Sequence, residues 1–151
     1  MTRIADDVPL MTFVIRVGPA VDVGTVAGLH RRCFPLVEGT VEGGFRGVLL
    51  PGGTDWQTVQ PNGTVEVSAR YMLGLEQGVV EVRSEGMRTG DAAVLRRLAA
   101  GEPVAAERYY FRTAIRFFTA SQELDRLNRL LAVGVGERFP DAVRLAVFPV
   151  L

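Results

Sequence analysis

The sequence predicts a mainly β protein, an antiparallel up-and-down β-barrel with two short helices. The first observation is strict alternation: from Met11 to Val17, apolar side chains occupy every second position, which is typical of a half-buried strand. The second is Asn62-Gly63, a turn pair that favours a hairpin because both residues tolerate positive φ. The third is that long helices do not alternate with the strands, which argues against a parallel Rossmann-type sheet. Many short strands joined by turns favour a closed barrel.

Seven segments carry the strand pattern. One of the two longest is Val65 to Leu75, where valine, tyrosine and leucine side chains share one face and Glu66, Ser68 and Arg70 share the other. Tyr109 to Thr119 alternates in the same way. The predicted strands cover residues 11–17, 45–50, 65–75, 79–88, 109–119, 130–135 and 143–150.

Two short helices are predicted between these strands. Asp91 can cap a helix over residues 91–100, and Gly101 can end it. Ser121 can cap a second helix that reaches Asn128. Glycine pairs at Gly43-Gly44 and at positions 134 and 136 are interpreted as strand bends, because neither lies between a strand and a helix N-terminus, as a phosphate-binding loop would.

Length and charge exclude several classes of protein. A chain of 151 residues predicts one domain, spanning residues 1–151, with a full hydrophobic core. The formal net charge of zero lacks the basic footprint of a nucleic-acid-binding protein. No apolar run approaches the roughly 20 residues of a transmembrane helix, so no membrane partner is expected. Asp6 and Asp7 stand where a secretory signal would be apolar, which predicts a cytoplasmic protein.

The residue inventory also limits the chemistry. All 17 basic residues are arginine, so a lysine Schiff base is impossible. His30 and Cys33 are the single histidine and the single cysteine, which leaves no Cys/His metal site. Cys33 is interpreted as a small buried apolar residue and His30 as part of a polar connection. We therefore predict no metal and no cofactor.

Four short motifs, in order along the chain, carry a family resemblance. The first is Val-Leu-Leu-Pro-Gly-Gly-Thr-Asp-Trp, which ends at Trp56. The others are Ala69-Arg70-Tyr71, Tyr109-Tyr110-Phe111-Arg112-Thr113 and Leu127-Asn128. In this combination the chain resembles the DUF3237 (UPF0311) family from about residue 11 to its C-terminus. The resemblance implies a calycin-like small β-barrel and subunits that associate, as a dimer or tetramer. It also implies, for some members, ring formation in natural-product pathways without a cofactor.

The chain departs from the family pattern near its third motif. Ile115 stands where the family usually has proline, and Phe118 stands where it has glutamate. Arg126 replaces a frequent tryptophan. An acid/base role of the family glutamate is therefore impossible here, and Phe118 is predicted to line a pocket for an aromatic ligand.

Asp55 is the predicted catalytic residue, with Trp56 beside it as a substrate-binding residue. Both follow a glycine-rich turn at a strand end, where loops commonly place functional groups. An indole next to a carboxylate removes water, which raises the carboxyl pKa toward the range of a general acid or base. The alternative is structural: Asp55 caps the loop and Trp56 fills the end of the barrel.

A second group of candidates lies on the alternating strands. Arg70 and Arg112 could bind an anionic group of a ligand, Tyr71 would line the site, and Tyr110 could donate a proton. If the polar faces line the cavity, Arg70, Arg112 and Tyr110 converge there; if the apolar faces do, both arginines point outward. Asn128 is a candidate ligand contact or, alternatively, satisfies backbone groups at a helix end.

These residues support two main functional hypotheses, with a structural role as a third. The first is a cofactor-independent enzyme of the cyclase, lyase or isomerase type. It would act on a small aromatic or polyketide-like substrate by acid/base-assisted ring formation, such as a Pictet–Spengler-type condensation or an intramolecular addition. The second is a non-catalytic, lipocalin-like protein that binds a small molecule in its barrel. A third, structural role predicts a barrel filled with side chains.

Overall fold

The chain forms a ten-stranded antiparallel sheet closed into a barrel, in a computed structural model that describes residues 3–151. The predicted mainly β barrel is confirmed. The strands are β1 (Met11–Val17), β2 (Val21–Val26), β3 (Leu29–Gly43), β4 (Gly47–Leu49), β5 (Thr54–Val59), β6 (Val65–Leu75), β7 (Gly78–Gly90), β8 (Tyr109–Thr119), β9 (Leu131–Arg138) and β10 (Ala142–Pro149). One α-helix, α1 (Ala92–Ala99), and 3₁₀ turns at Ala106–Arg108 and Asp125–Arg129 complete the described elements.

Strand β1 closes the barrel, because it pairs with β10, its neighbour in the sheet order, and also with β3, near the other end of that order. The order is β1-β10-β9-β8-β7-β6-β4-β3-β2, and β1 also pairs with β3. Met11 thus lies opposite Val147 of β10 on one side and opposite Gly43 of β3 on the other. Strands β4 and β5 both pair with β3 and β6 and so share one position in the wall. Strands β1 and β2 likewise share one edge of β3, so the ten strands occupy eight positions.

The hairpin of β2 and β3 was not predicted. His30 lies inside β3, and the expectation of a polar connection there is wrong. Alternation is weak in this hairpin because the register shifts between Asp22 and Gly24, and because the residues of β2 are mostly exposed. The His30 Nε2 lies 2.8 Å from Asp22 Oδ1, across the two strands.

The Asn62-Gly63 turn forms as predicted but with a different backbone. Gly63 has a φ of 90°, whereas Asn62 is not among the described residues with positive φ. Asn62 instead accepts a hydrogen bond from the Thr64 backbone N–H through its side-chain oxygen, at 3.0 Å. Glycine supplies the left-handed conformation, and the asparagine side chain supports the turn.

The two predicted helices differ in outcome. Helix α1 follows Asp91, although the Asp91 side chain makes no capping hydrogen bond. The second is a 3₁₀ turn, Asp125–Arg129, and not an α-helix from Ser121. The Ser121 hydroxyl donates to the Gln77 carbonyl at 2.9 Å and so ties this segment to the start of β7. Among the described helices, none is long and apolar enough to cross a membrane.

The apolar faces of the strands point into the barrel. Phe13, for example, is fully buried and meets Tyr71 edge-to-face, with ring centroids 6.1 Å apart. Leu124 and Leu127, in and next to the 3₁₀ turn, close one end of the barrel. At the opposite end, the buried face of α1 forms a second apolar cluster with side chains of β6 and β8. That cluster consists of Val65, Val67, Val94, Leu95, Leu98, Tyr109 and Phe111.

Candidate functional site

Asp55 lies on the inner face of the barrel wall, in β5. It is opposite Phe34 of β3 and Ala69 of β6. Alternation along β5 directs Asp55 and Gln57 inward and leaves Trp56 47% exposed on the outer face. A carboxylate therefore faces an interior that is otherwise mostly apolar.

A relay of hydrogen bonds orients the Asp55 carboxylate. Arg32 donates to Gln57 Oε1 from Nε at 3.1 Å and from Nη2 at 2.9 Å. Gln57 Nε2 then donates to Asp55 Oδ2 at 2.9 Å. The neutral amide thus stands between the guanidinium and the carboxylate. The second carboxylate oxygen, Oδ1, is buried without a hydrogen-bond partner.

Burial raises the pKa of Asp55 above its ordinary value, because the charged form loses hydration. The hydrogen bond from Gln57, the positive charges of Arg88 and Arg32 and the backbone N–H of Ser68 act in the opposite direction, and the net shift is upward. Both protonation states are therefore supported by the surroundings, one by burial and the other by the nearby donors and cations. This balance is what a general acid or base requires.

A small cavity of about 50 Å³ lies inside the barrel beside Asp55. Its polar lining residues are Asp55, Tyr71, Ser84 and Thr113, and its other walls are mostly aliphatic. Thr113 Oγ1 is buried without a partner, like Asp55 Oδ1. Buried polar atoms are usually hydrogen-bonded, so two unpartnered oxygens lining one cavity indicate that a bound molecule or water completes them.

A larger pocket of about 400 Å³ lies at the same end of the barrel, against α1. Arg32 and Arg88 line it together with His30, and Leu95 of α1 forms part of its apolar wall. Arg32 and Arg88 line this outer pocket, and their positive charges also act on the pKa of Asp55, so both lie within electrostatic reach of that carboxyl group.

Two glycines of β9 shape the inner cavity wall. A Cβ on Gly134 would come within 2.4 Å of Thr113 Oγ1, and a Cβ on Gly136 would come within 2.7 Å of the Phe111 ring. Side chains of β8 therefore occupy the space in front of β9. The interpretation of these glycines as bends is replaced by a packing role, since both lie in the regular pairing of β9 with β10.

Comparison with known proteins identifies the family. The family model described as "Protein of unknown function (DUF3237)" matches residues 8–150. The chain belongs to the DUF3237 family. A UPF0311 protein of Rhodopseudomonas palustris is 36% identical over the full length of both chains, and its crystal structure, of a conserved protein of unknown function, superimposes with a TM-score of 0.90.

Two further solved structures share this barrel. A beta-barrel like protein from Acinetobacter baumannii is 31% identical with a TM-score of 0.85, covering 100% of this chain and 99% of the other. A structure described as an enzyme from Penicillium herquei is 18% identical with a TM-score of 0.73, covering 100% and 98%. This last likeness concerns the fold alone.

Of the site residues predicted from DUF3237-like motifs, the structure brings Asp55 and Tyr71 together at the inner cavity. Tyr110 does not reach that cavity: it is 51% exposed, and the Arg112 guanidinium lies over its ring at 5.2 Å. Arg70 is paired with Glu81, with Nε 3.2 Å from Oε2. The alternative in which the polar strand faces line the cavity is therefore corrected, because the apolar faces occupy the interior.

Phe118 and Asn128 also lie away from the cavity. Phe118 is held on the outer wall between two guanidiniums, with Arg83 at 4.6 Å and Arg116 at 4.9 Å from its ring centroid. Asn128 accepts from the Thr119 N–H at 2.8 Å and donates to the Thr119 carbonyl at 2.9 Å. Its contacts are those of the structural alternative, which tie the 3₁₀ turn to the end of β8.

Several residues around Asp55 were not predicted from the sequence. Arg88, Thr113 and Gln57 are all buried, and each lies on the inward phase of its strand. The signal was available: the alternation that places Val80 and Val82 inside, continued along β7, also places Arg88 inside. Arg32 and Gln57 could not be found in this way, because neither β3 nor β5 was predicted.

Cys33 lies in β3 as a free cysteine. Cys33 is half-buried, and burial followed by the charge of Asp55 raises the pKa of its thiol, which makes it a weak nucleophile. Among residues 3–151, no three His, Cys, Asp or Glu side chains are grouped so that they could hold a metal ion.

Proposed function

We propose that this DUF3237 protein is a cofactor-independent enzyme that promotes ring formation in a small aromatic or polyketide-like molecule. Asp55 is its acid/base residue. The observation that carries this proposal is the buried carboxylate with a raised pKa and an unpartnered oxygen at the cavity. The same barrel is used by a protein described as an enzyme, although at 18% identity that supports only the capacity of the fold.

The chemistry needs one proton carrier. In an intramolecular addition to an alkene, a carbon gains a proton and the attacking hydroxyl loses one, so a single carboxyl group can donate and then recover a proton. In a Pictet–Spengler-type closure, an amine and an aldehyde condense to an iminium with loss of water, and the aromatic ring then forms a bond to the iminium carbon. Asp55 as carboxylate would accept the ring proton whose loss restores aromaticity. Neither route changes the oxidation level of the substrate, and proton transfer of this kind contributes about 10²–10⁴-fold in rate.

The surroundings of Asp55 suit that cycle. Burial favours the protonated form before the transfer, while Gln57 and the charges of Arg88 and Arg32 favour the carboxylate after it. Tyr71 and Thr113 supply further hydroxyl groups at the same cavity. The inner cavity of about 50 Å³ accepts only part of a substrate, so the remainder would occupy the pocket under α1.

Binding without turnover is the alternative function. It is favoured by the two unpartnered oxygens, Asp55 Oδ1 and Thr113 Oγ1, since a ligand would complete them whether or not it reacts. In this reading, the barrel holds a small molecule as a lipocalin does.

The Asp55→Asn variant separates the two functions. A panel of aromatic amines with aldehydes, and of polyphenols carrying alkenes, is incubated with the protein, and products are followed by mass spectrometry while binding is followed by calorimetry. We expect at least a roughly 10²-fold loss of turnover with affinity retained. Asp7→Asn, at a carboxylate that is 84% exposed, is the matched control. Normal turnover by Asp55→Asn would refute the catalytic assignment, and binding without turnover by the wild type would favour the alternative.

A further inference from the structure

Three arginines meet at the α1 end of the barrel. Arg32 comes from β3, Arg88 from β7 and Arg138 from the end of β9. Arg88 is only 5% exposed, although arginine is rarely buried without a charged partner. Burial, followed by the charges of Arg138 and Arg32, lowers the pKa of Arg88 to about 10, so the three groups are close enough to repel one another.

The positive charge of this cluster is poorly compensated. Among the ion pairs within residues 3–151, none involves Arg32, Arg88 or Arg138. Arg32 uses its donors on the neutral amide of Gln57. Asp55 lies close to all three arginines, but the raised pKa of that carboxyl weakens it as a counter-charge. Asp22 raises the pKa of Arg32 alone and Asp141 raises that of Arg138 alone, so each acts on a single member of the cluster.

The donors of the cluster are also incompletely used. Arg138 Nη1 is buried without a hydrogen-bond partner. The guanidinium of Arg88 lies over the Phe111 ring at 5.4 Å, which partly offsets its charge but accepts none of its hydrogen bonds. A buried cation without a charged partner is costly, so the retention of Arg88 at this position points to a role for its charge.

Space for a ligand adjoins the cluster. Arg32 and Arg88 line the pocket of about 400 Å³ under α1, and the other walls include Val59, Val65 and Leu95. This volume lies within the usual range of about 300–1,000 Å³ for small-molecule sites. A ligand with an apolar body and an anionic group would match both walls.

We propose that Arg32, Arg88 and Arg138 bind an oxyanion of the molecule that enters the barrel, so that the ligand is an organic acid. The planar guanidinium groups offer paired donors that match carboxylate or phosphate oxygens. With its anionic group held there, the body of the molecule would extend toward Asp55 in the inner cavity. The ligand is a substrate only if the protein is the enzyme proposed above, so the inference rests on that proposal. It extends the proposal by naming the substrate class, an organic acid.

Calorimetric titration tests the inference without any turnover assay. Benzoate, phenyl phosphate and uncharged benzamide are titrated into the wild type, Arg88→Met and Arg83→Met. Arg83 is the matched control, because it lies on the same strand with its side chain 51% exposed on the outer face. We expect at least one of the two anions to bind the wild type and Arg83→Met with similar affinity. Its affinity for Arg88→Met should be at least 10-fold lower. Benzamide should bind none of them measurably.

The comparison of the two anions identifies the source of the oxyanion, since the tighter one indicates a carboxylic acid or a phosphate ester. Arg138→Met is the second variant should Arg88→Met not fold, and it carries the same expected loss. Equal binding by wild type and both variants, or no binding of either anion at millimolar concentration, would overturn the inference. Asp55→Asn should retain anion binding, so loss of its turnover concerns the enzyme proposal alone.

Discussion

The pH dependence of folding stability should change when Asp55 is replaced by asparagine. The replacement keeps the shape of the side chain and removes its titration. In the wild type, burial raises the pKa of Asp55 above the ordinary 3.8. Between those two pKa values the native state holds a proton that the unfolded state has released. The free energy of unfolding therefore falls as pH rises through this window.

The magnitude follows from one proton. A single group contributes a slope of about 1.4 kcal/mol per pH unit where the native form is fully protonated and the unfolded form is not. The Asn variant lacks this contribution. The wild-type stability minus that of the variant should thus be highest below about pH 4, decline through the window, and level off above the native pKa. Subtraction removes the groups common to both proteins, such as Asp22 and Glu81, whose pKa values are lowered by partners on the surface.

Urea unfolding followed by circular dichroism, at half-unit steps from pH 4 to pH 8, measures both curves. A difference curve that rises with pH would refute the reasoning. It would mean that Arg32 and Arg88 hold the carboxylate ionised more strongly than burial opposes it. A flat curve would mean that the two influences cancel, and Asp55 would then have an ordinary acidity.

Three further predictions concern the barrel interior, each measured by urea unfolding. Thr113→Val replaces a buried hydroxyl that has no protein partner, and in the ligand-free protein it should raise the free energy of unfolding by about 1 kcal/mol; a loss would show that water already completes the hydroxyl. Gly136→Ala places a Cβ 2.7 Å from the Phe111 ring and should cost about 1–3 kcal/mol, with recovery when Phe111→Leu is added. If the double variant recovers nothing, the clash is not with that ring. Phe13→Ala should lower the free energy of unfolding by about 3–5 kcal/mol, because Phe13 is fully buried. Val14→Ala, at the neighbouring residue that is 43% exposed, should lower it by less than about 0.5 kcal/mol, and similar losses for both variants would contradict the assigned strand faces.

Regular alternation is what made most of the barrel predictable. Val65–Leu75 and Tyr109–Thr119 have the predicted bounds, because each strand buries one face and leaves the other in water. The pattern fails at Val21–Val26, where both faces are largely exposed and a register shift interrupts the pairing. When neither face of a strand is buried, its sequence need not alternate between apolar and polar residues, so the pattern cannot reveal it.

The site was less accessible to sequence reasoning than the fold. Asp55 was found because it follows a recognisable turn, but its arginine partners were sought on the outer faces, at Arg70 and Arg112. Alternation alone does not say which face of a strand is inside when arginines and tyrosines occupy one face and apolar residues the other. Arg88, by contrast, shares the inward phase of Val80 and Val82, so continuing that alternation to the end of β7 places it inside.

The position of β1 has a consequence for how the chain acquires its structure. Its hydrogen bonds reach β3 nearby and β10, whose Val147 lies opposite Met11. During synthesis β1 can pair with β3 early, but its other edge stays open until the last strand has emerged. An open edge is a template for pairing with another chain. Seam closure between β1 and β10 should therefore be the step at which nascent molecules are most vulnerable to aggregation, and slowing translation of the final strand should increase that risk.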